Sequence, residues 1–112
     1  MIATSEFKTI SVLGTEYTII WKEYGEQDID GETDFSCQKI YLRKDNVNEI
    51  GDFLELQIKV LRHEIIHAFM YESGLGSNWK HDCQIGHDET VIDWFAIQSP
   101  KIYKVYEQLG IL

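Results

Sequence analysis

The run 60–71, VLRHEIIHAFMY, limits what this chain can fold into more than any other stretch. It contains His63-Glu64-Ile65-Ile66-His67, the pattern H-E-x-x-H. On a helix, residues four apart lie one turn apart on the same face, so both imidazoles can address a single metal ion. The glutamate beside the first histidine can then reach a water held at that ion. Leu61, Ile65, Ile66, Phe69 and Met70 make the run apolar on most sides, which predicts a buried helix. Three ionisable residues on a buried helix need partners, and a zinc ion supplies them. Two histidines from one turn leave tetrahedral zinc in want of one more protein ligand and one open position. The competing reading is a core helix whose histidines are satisfied by hydrogen bonds.

At 112 residues the chain predicts one domain, 1–112, able to bury a modest core without staples. A net charge of −9 argues against nucleic acid as a partner, because phosphate neutralisation needs clustered Lys and Arg. Cys37 and Cys83 are far apart and lack C-x-x-C spacing, so neither a disulfide framework nor a cysteine zinc site is expected. The first residues carry no basic segment followed by an apolar run, and no stretch approaches a membrane span. A cytoplasmic protein, with no membrane partner, is the expectation.

Residues 7–24 favour strands, with Leu13-Gly14-Thr15 as a tight turn between them, which predicts a hairpin. The acidic stretch 25–34 reads as a solvated loop; its carboxylates do not have EF-hand spacing. From 35 to 43 the near-alternation of Cys37, Lys39, Tyr41 and Arg43 with Gln38, Ile40 and Leu42 predicts a third strand. Its cationic face suits a sheet edge, where an extended peptide can add as a further strand. A helix is expected from about Glu49 to Tyr71, with Asp45 and Asn46 as candidate caps. After a polar stretch carrying Trp79, His81 and Cys83, a second helix is expected from His87 or Asp88 to about Gln98. Pro100 then reads as the first residue of a short final helix.

The second helix offers Glu89 and Asp93, four residues apart and so on one face. One carboxylate there can complete a zinc site while the other accepts a hydrogen bond from a ligating imidazole. The alternative is the wet face of an amphipathic helix, though between Val91-Ile92 and Trp94-Phe95 that face is narrow.

With these two motifs the sequence resembles a minimal zincin of the gluzincin type. It is similar to the ImmA/IrrE-like metallopeptidases of phages and mobile elements, which pair an H-E-x-x-H helix with a later E-x-x-x-[ND]-x-F-A helix. Here Glu89-Thr90-Val91-Ile92-Asp93-Trp94-Phe95-Ala96 corresponds to the second motif, and the resemblance spans roughly residues 35–100. It implies a small zincin-like α+β domain in which about three N-terminal antiparallel strands pack on a long H-E-x-x-H helix. A ligand-bearing second helix and a short C-terminal helix follow. It also implies a zinc metallopeptidase acting on a peptide or protein, with His63, His67 and Glu89 as ligands and Glu64 as general base. Asp93 supports a ligating imidazole. The chain departs from the family in having only an N-terminal hairpin where those peptidases usually place helical structure before the sheet. SprT-like peptidases are the neighbouring comparison; their third ligand is a histidine, a role open here to His87 or His81. Tyr71, His81 and His87 are candidates for stabilising an oxyanion. A different class of function is a zincin-like binding module, in which zinc joins two helices and no bond is cut.

Overall fold

Period-two alternation drives the first half of the chain into a sheet. The computed structural model describes residues 8–75 and 89–112; within the second helix the side chains of Glu89, Thr90, Ile92, Asp93 and Ala96 fall outside that description. The strands are β1 (Lys8–Val12), β2 (Thr15–Lys22), β3 (Gly31–Asp34) and β4 (Lys39–Arg43), followed by helices α1 (Phe53–Glu72) and α2 (Glu89–Leu109). Ile10 and Val12 on β1, Tyr17, Ile19 and Trp21 on β2, and Ile40 and Leu42 on β4 all point into one core. Between β1 and β2, Leu13 and Gly14 both take positive φ, 51° and 91°, the two-residue turn whose twist matches that of a hairpin.

The sheet order is β1-β2-β4-β3. β1 and β2 pair antiparallel, β2 and β4 pair parallel with Ile19 opposite Ile40 and Trp21 opposite Leu42, and β4 pairs antiparallel with β3. The result is a small α+β domain, a four-stranded mixed sheet with two helices among the described residues. Helix α1 lies chiefly across β3 and β4. Ile102, Val105, Tyr106 and Leu109 of α2, with Ile111, close the core from the other end.

This arrangement corrects the fold expected from the sequence. The antiparallel set of about three N-terminal strands packed on the motif helix is replaced by a mixed sheet in which the helix meets mainly the two later strands. The stretch expected to be loop up to Asp34 contains β3, whose inward positions are only Gly31 and Thr33, so it carries almost no apolar signal. β4 is central, not an edge, and β3 takes the edge. Arg43, expected on a solvent face, is buried. It donates to the carbonyls of Gly25 (2.8 Å), Gln27 and Ile29 (3.0 Å) and to Asp45 (3.0 Å), and pairs with Asp30 at 3.4 Å. Five partners offset the desolvation of that guanidinium.

The helix boundaries shift as well. Asn46 forms a closed pair of hydrogen bonds with the backbone of Ile50, and Glu49 takes a φ of 52°, so neither belongs to a helix. Asp52 is the N-cap, accepting from the Glu55 N–H at 3.0 Å. There is no separate C-terminal helix: α2 continues through Pro100 to Leu109. Proline there forfeits the bond to the Ala96 carbonyl, a cost of about 3 kcal/mol in a helix interior. Burial of Ile102, Val105, Tyr106 and Leu109 further along offsets it. No helix of the described residues is long and apolar enough to cross a membrane.

Candidate metal centre

Helix α1 is apolar on one side only. Gln57, Leu61, Glu64, Ile65, Ala68 and Phe69 are buried against the sheet and α2, whereas His63 and His67 lie on an exposed flank. The expectation of a helix buried all round therefore fails for the histidines and holds for Glu64, which is 7% exposed. Both ends of α1 are fixed. Its first turn is capped by Asp52, and Glu72 in its last turn accepts from Thr15 (3.0 Å) and Tyr17 (2.7 Å) of the β1–β2 hairpin. Burial, followed by that bond to Glu72, pushes the Tyr17 hydroxyl well above the ordinary tyrosine range.

The two imidazoles converge. Their Nε2 atoms are 3.1 Å apart, with the rings tilted by 70° and their centroids separated by 4.7 Å. With Zn–N bonds of about 2.0–2.1 Å, a tetrahedral angle at one ion requires an N···N separation of about 3.3–3.4 Å. The observed spacing is within a few tenths of an ångström of that, so the pair fits two corners of a zinc site. The same spacing also suits an N–H···N hydrogen bond between the rings.

Glu64 turns toward the edge strand. Thr33 Oγ1 donates to Glu64 Oε1 at 2.7 Å, while Oε2 takes no hydrogen bond among the described residues. One oxygen is thereby held in place by the edge strand. Thr33 was not foreseen as a site residue: it lies on a four-residue strand with no apolar inward position, so the sequence carries no hydrophobic alternation to mark it.

Strand β3 runs alongside α1 in the same direction. Gly31 meets Val60, Thr33 meets Glu64, and Phe35, just past the strand, stacks on Tyr71 at 4.4 Å and 12°. A Cβ on Gly31 would stand 2.6 Å from Val60 Cγ1, so the helix approaches this closely only because the residue is glycine. A pocket of about 240 Å³ opens between Asp30 and Gly31 on one side and Leu56, Lys59 and Val60 on the other, ending at His63 and Glu64. Tyr71, 44% exposed and one turn past His67, is not among the residues that line this pocket.

His81 and His87 fall outside the described residues, and so do the side chains of Glu89 and Asp93, whose backbone forms the start of α2. Trp94 Nε1 donates to Ser73 Oγ at 2.7 Å and Tyr106 to the Arg62 carbonyl at 3.3 Å, so α2 runs antiparallel to α1 and begins beside its C-terminal end. Among the described residues no group of three His, Cys, Asp or Glu side chains is placed to hold an ion. The chain matches no family model, no curated protein and no solved structure.

Proposed function

We propose that this chain is a zinc-dependent peptidase of zincin type, cytoplasmic and encoded by a phage or mobile element. The observation that carries the reading is the convergence of His63 and His67 Nε2 to 3.1 Å beside a buried glutamate with one oxygen unengaged by the described residues. Glu89 is the proposed third ligand, with His87 or His81 as the alternative. The contacts of Trp94 with Ser73 and of Tyr106 with Arg62 set the first turn of α2 beyond the C-terminal end of α1, past the level of His67, so a ligand from that turn or from the segment leading into it has to reach back along α1 to the histidines. Asp93, one turn on, is the proposed acceptor for a ligating imidazole.

When bound, zinc polarises a scissile carbonyl and lowers the pKa of water. Glu64 takes the proton of the attacking water and delivers it to the departing amine. Thr33 fixes the orientation of that carboxylate through Oε1. β3 is an edge strand among the described residues, and its outer main-chain groups are offered to an extended peptide laid along α1.

The test is a zinc titration of the purified chain with peptide hydrolysis followed in parallel. One zinc per chain is expected, with Glu64→Gln retaining it and losing hydrolysis by about 10²- to 10⁴-fold. A wild-type chain that takes up no zinc, or a Glu64→Gln chain that cleaves as well as wild type, overturns the proposal. Zinc uptake with no hydrolysis in either form, and a melting temperature lowered by His67→Ala, identifies a binding module instead.

A further inference from the structure

Among the described residues the sheet has a second edge, β1, on the side away from the histidines, and the functional reading makes no use of it. We propose that β1 is a self-association edge, pairing antiparallel with β1 of a second copy about a two-fold axis at Ile10. The two four-stranded sheets then run on as one. The inference goes beyond the peptidase reading and does not rest on it.

The backbone is set for this pairing. Leu13 and Gly14 form a two-residue turn, so the pair that closes it, Val12 and Thr15, exchanges both its hydrogen bonds. By alternation Ile10 with Tyr17 and Lys8 with Ile19 do the same, which turns the N–H and C=O groups of Thr9 and Ser11 outward. Both residues are exposed. The strand contains no proline, and its register with β2 runs without a bulge. About an axis at Ile10, Thr9 of each copy meets Ser11 of the other, which gives about four main-chain hydrogen bonds. β3 is the poorer edge for a second copy, because there Glu32 and Asp34 would oppose each other's charge.

Charge selects the same register. Lys8 lies opposite Ile19, so it belongs to the inner face of the sheet, where a lone lysine blunts an edge. In its own copy the length of β1, about 13 Å, separates it from Val12. The antiparallel two-fold reverses this and sets Lys8 opposite the partner's Val12. Beside Val12, on the same face, Thr15 donates to Glu72 at 3.0 Å. Two strand spacings, about 10 Å, then separate Lys8 from the partner's Thr15, a gap that the lysine and the glutamate span together. Among the described residues neither Lys8 nor Glu72 has an ion-pair partner, and the axis supplies one to each. A five-residue pairing buries less than the roughly 1,200–2,000 Å² of a stable interface, so the dimer is weak, with a Kd of about 10–100 µM.

The test is sedimentation equilibrium of the full chain from micromolar to millimolar concentration, with a chelator present so that no metal bridges the exposed histidines. At physiological ionic strength the repulsion between two chains of charge −9 is screened beyond about 8 Å. A monomer–dimer equilibrium is expected, with amide exchange of Thr9 and Ser11 slowing as concentration rises. Thr9→Pro removes an outward N–H, and Lys8→Glu turns two attractions into repulsions. Each is expected to weaken the dimer by about 10-fold or more while keeping the wild-type far-ultraviolet dichroism. Either variant suffices if the other does not fold. A chain that stays monomeric to millimolar concentration overturns the proposal, as does a folded variant that dimerises like wild type. Slowed exchange at Glu32 and Asp34 in place of Thr9 and Ser11 also overturns it, by moving the contact to β3.

Discussion

At the scale of single residues, the candidate site depends on what is missing at position 31. A methyl group there would meet Val60 Cγ1 at 2.6 Å, Leu42 Cδ2 at 3.2 Å and the Tyr41 carbonyl oxygen at 3.3 Å. The carbonyl belongs to the backbone of central strand β4 and cannot retreat; Val60 is a side chain on a helix and can give only by moving α1. Gly31→Ala is therefore expected to destabilise the fold by about 1–3 kcal/mol, the usual range for overpacking. Adding Val60→Ala removes the shortest contact, so the double variant should recover part of that loss and deviate from additivity by about 0.5–3 kcal/mol. Urea unfolding of the two single variants and the double variant measures it; strict additivity would mean that the close approach does not matter. That His63 and His67 share one face of a helix was legible from spacing alone, because four residues is about one helical turn whatever the fold. Thr33 and Gly31 were not, since a four-residue strand with two inward positions, neither of them apolar, leaves no hydrophobic alternation to read.

Among the elements, the edge strand owes its position to a clamp. Arg43 gathers the carbonyls of residues 25, 27 and 29 just before β3, and Asp45 accepts from the N–H groups of Tyr24 and Gly25 at 2.9 Å each as well as from Arg43. The Tyr24 N–H foremost, with the Gly25 N–H and the Arg43 charge, holds the Asp45 carboxyl below the ordinary 3.8. A depressed pKa in the folded state means that the unfolded chain binds the proton more readily at acid pH. The contribution of Asp45 is thus present above pH 3.8 and is lost as pH falls through the folded value. Asp45→Asn is expected to flatten the acid limb of a plot of urea midpoint against pH. It should not abolish that limb, because Asp34 is also lowered, chiefly by the Ser36 hydroxyl. An unchanged acid limb would remove Asp45 from the clamp. Helix α2 makes the opposite point about legibility. Pro100 is a sound sequence signal for a helix start, yet tertiary burial of Ile102, Val105 and Tyr106 carries the helix through it. Pro100→Ala restores the missing N–H and is expected to stabilise the fold by about 1–2 kcal/mol, less than the full helix-interior cost, because proline also restricts the unfolded chain. Thermal unfolding reads it, and a destabilised variant would show that the proline conformation is itself required by the packing.

For the whole molecule, the decisive quantity is how strongly zinc is linked to folding. His63 and His67 both sit on α1, so an ion held by them alone joins no two elements and binds weakly. A third ligand from the start of α2 changes this: the ion then bridges two helices that are pinned to each other by Trp94 on Ser73 and Tyr106 on Arg62. Anything that binds only the folded state stabilises it by RT ln(1 + [L]/Kd), about 2.7 kcal/mol at a free concentration of 100 Kd. For a domain of this size that corresponds to a rise in Tm of roughly 10 °C. The expected outcome is such a rise on adding zinc to metal-free protein, reversed by a chelator and abolished by His63→Ala. In Glu89→Gln it should shrink to a few degrees, because two imidazoles and a neutral amide hold zinc far less tightly than two imidazoles and a carboxylate. If Glu89→Gln keeps the full rise while substitution of His87 or His81 removes it, the third ligand is a histidine and the SprT-like arrangement applies. If zinc raises the Tm of no form of the chain, the 3.1 Å approach of the two rings is a hydrogen bond between them, and α1 carries its histidines for another reason.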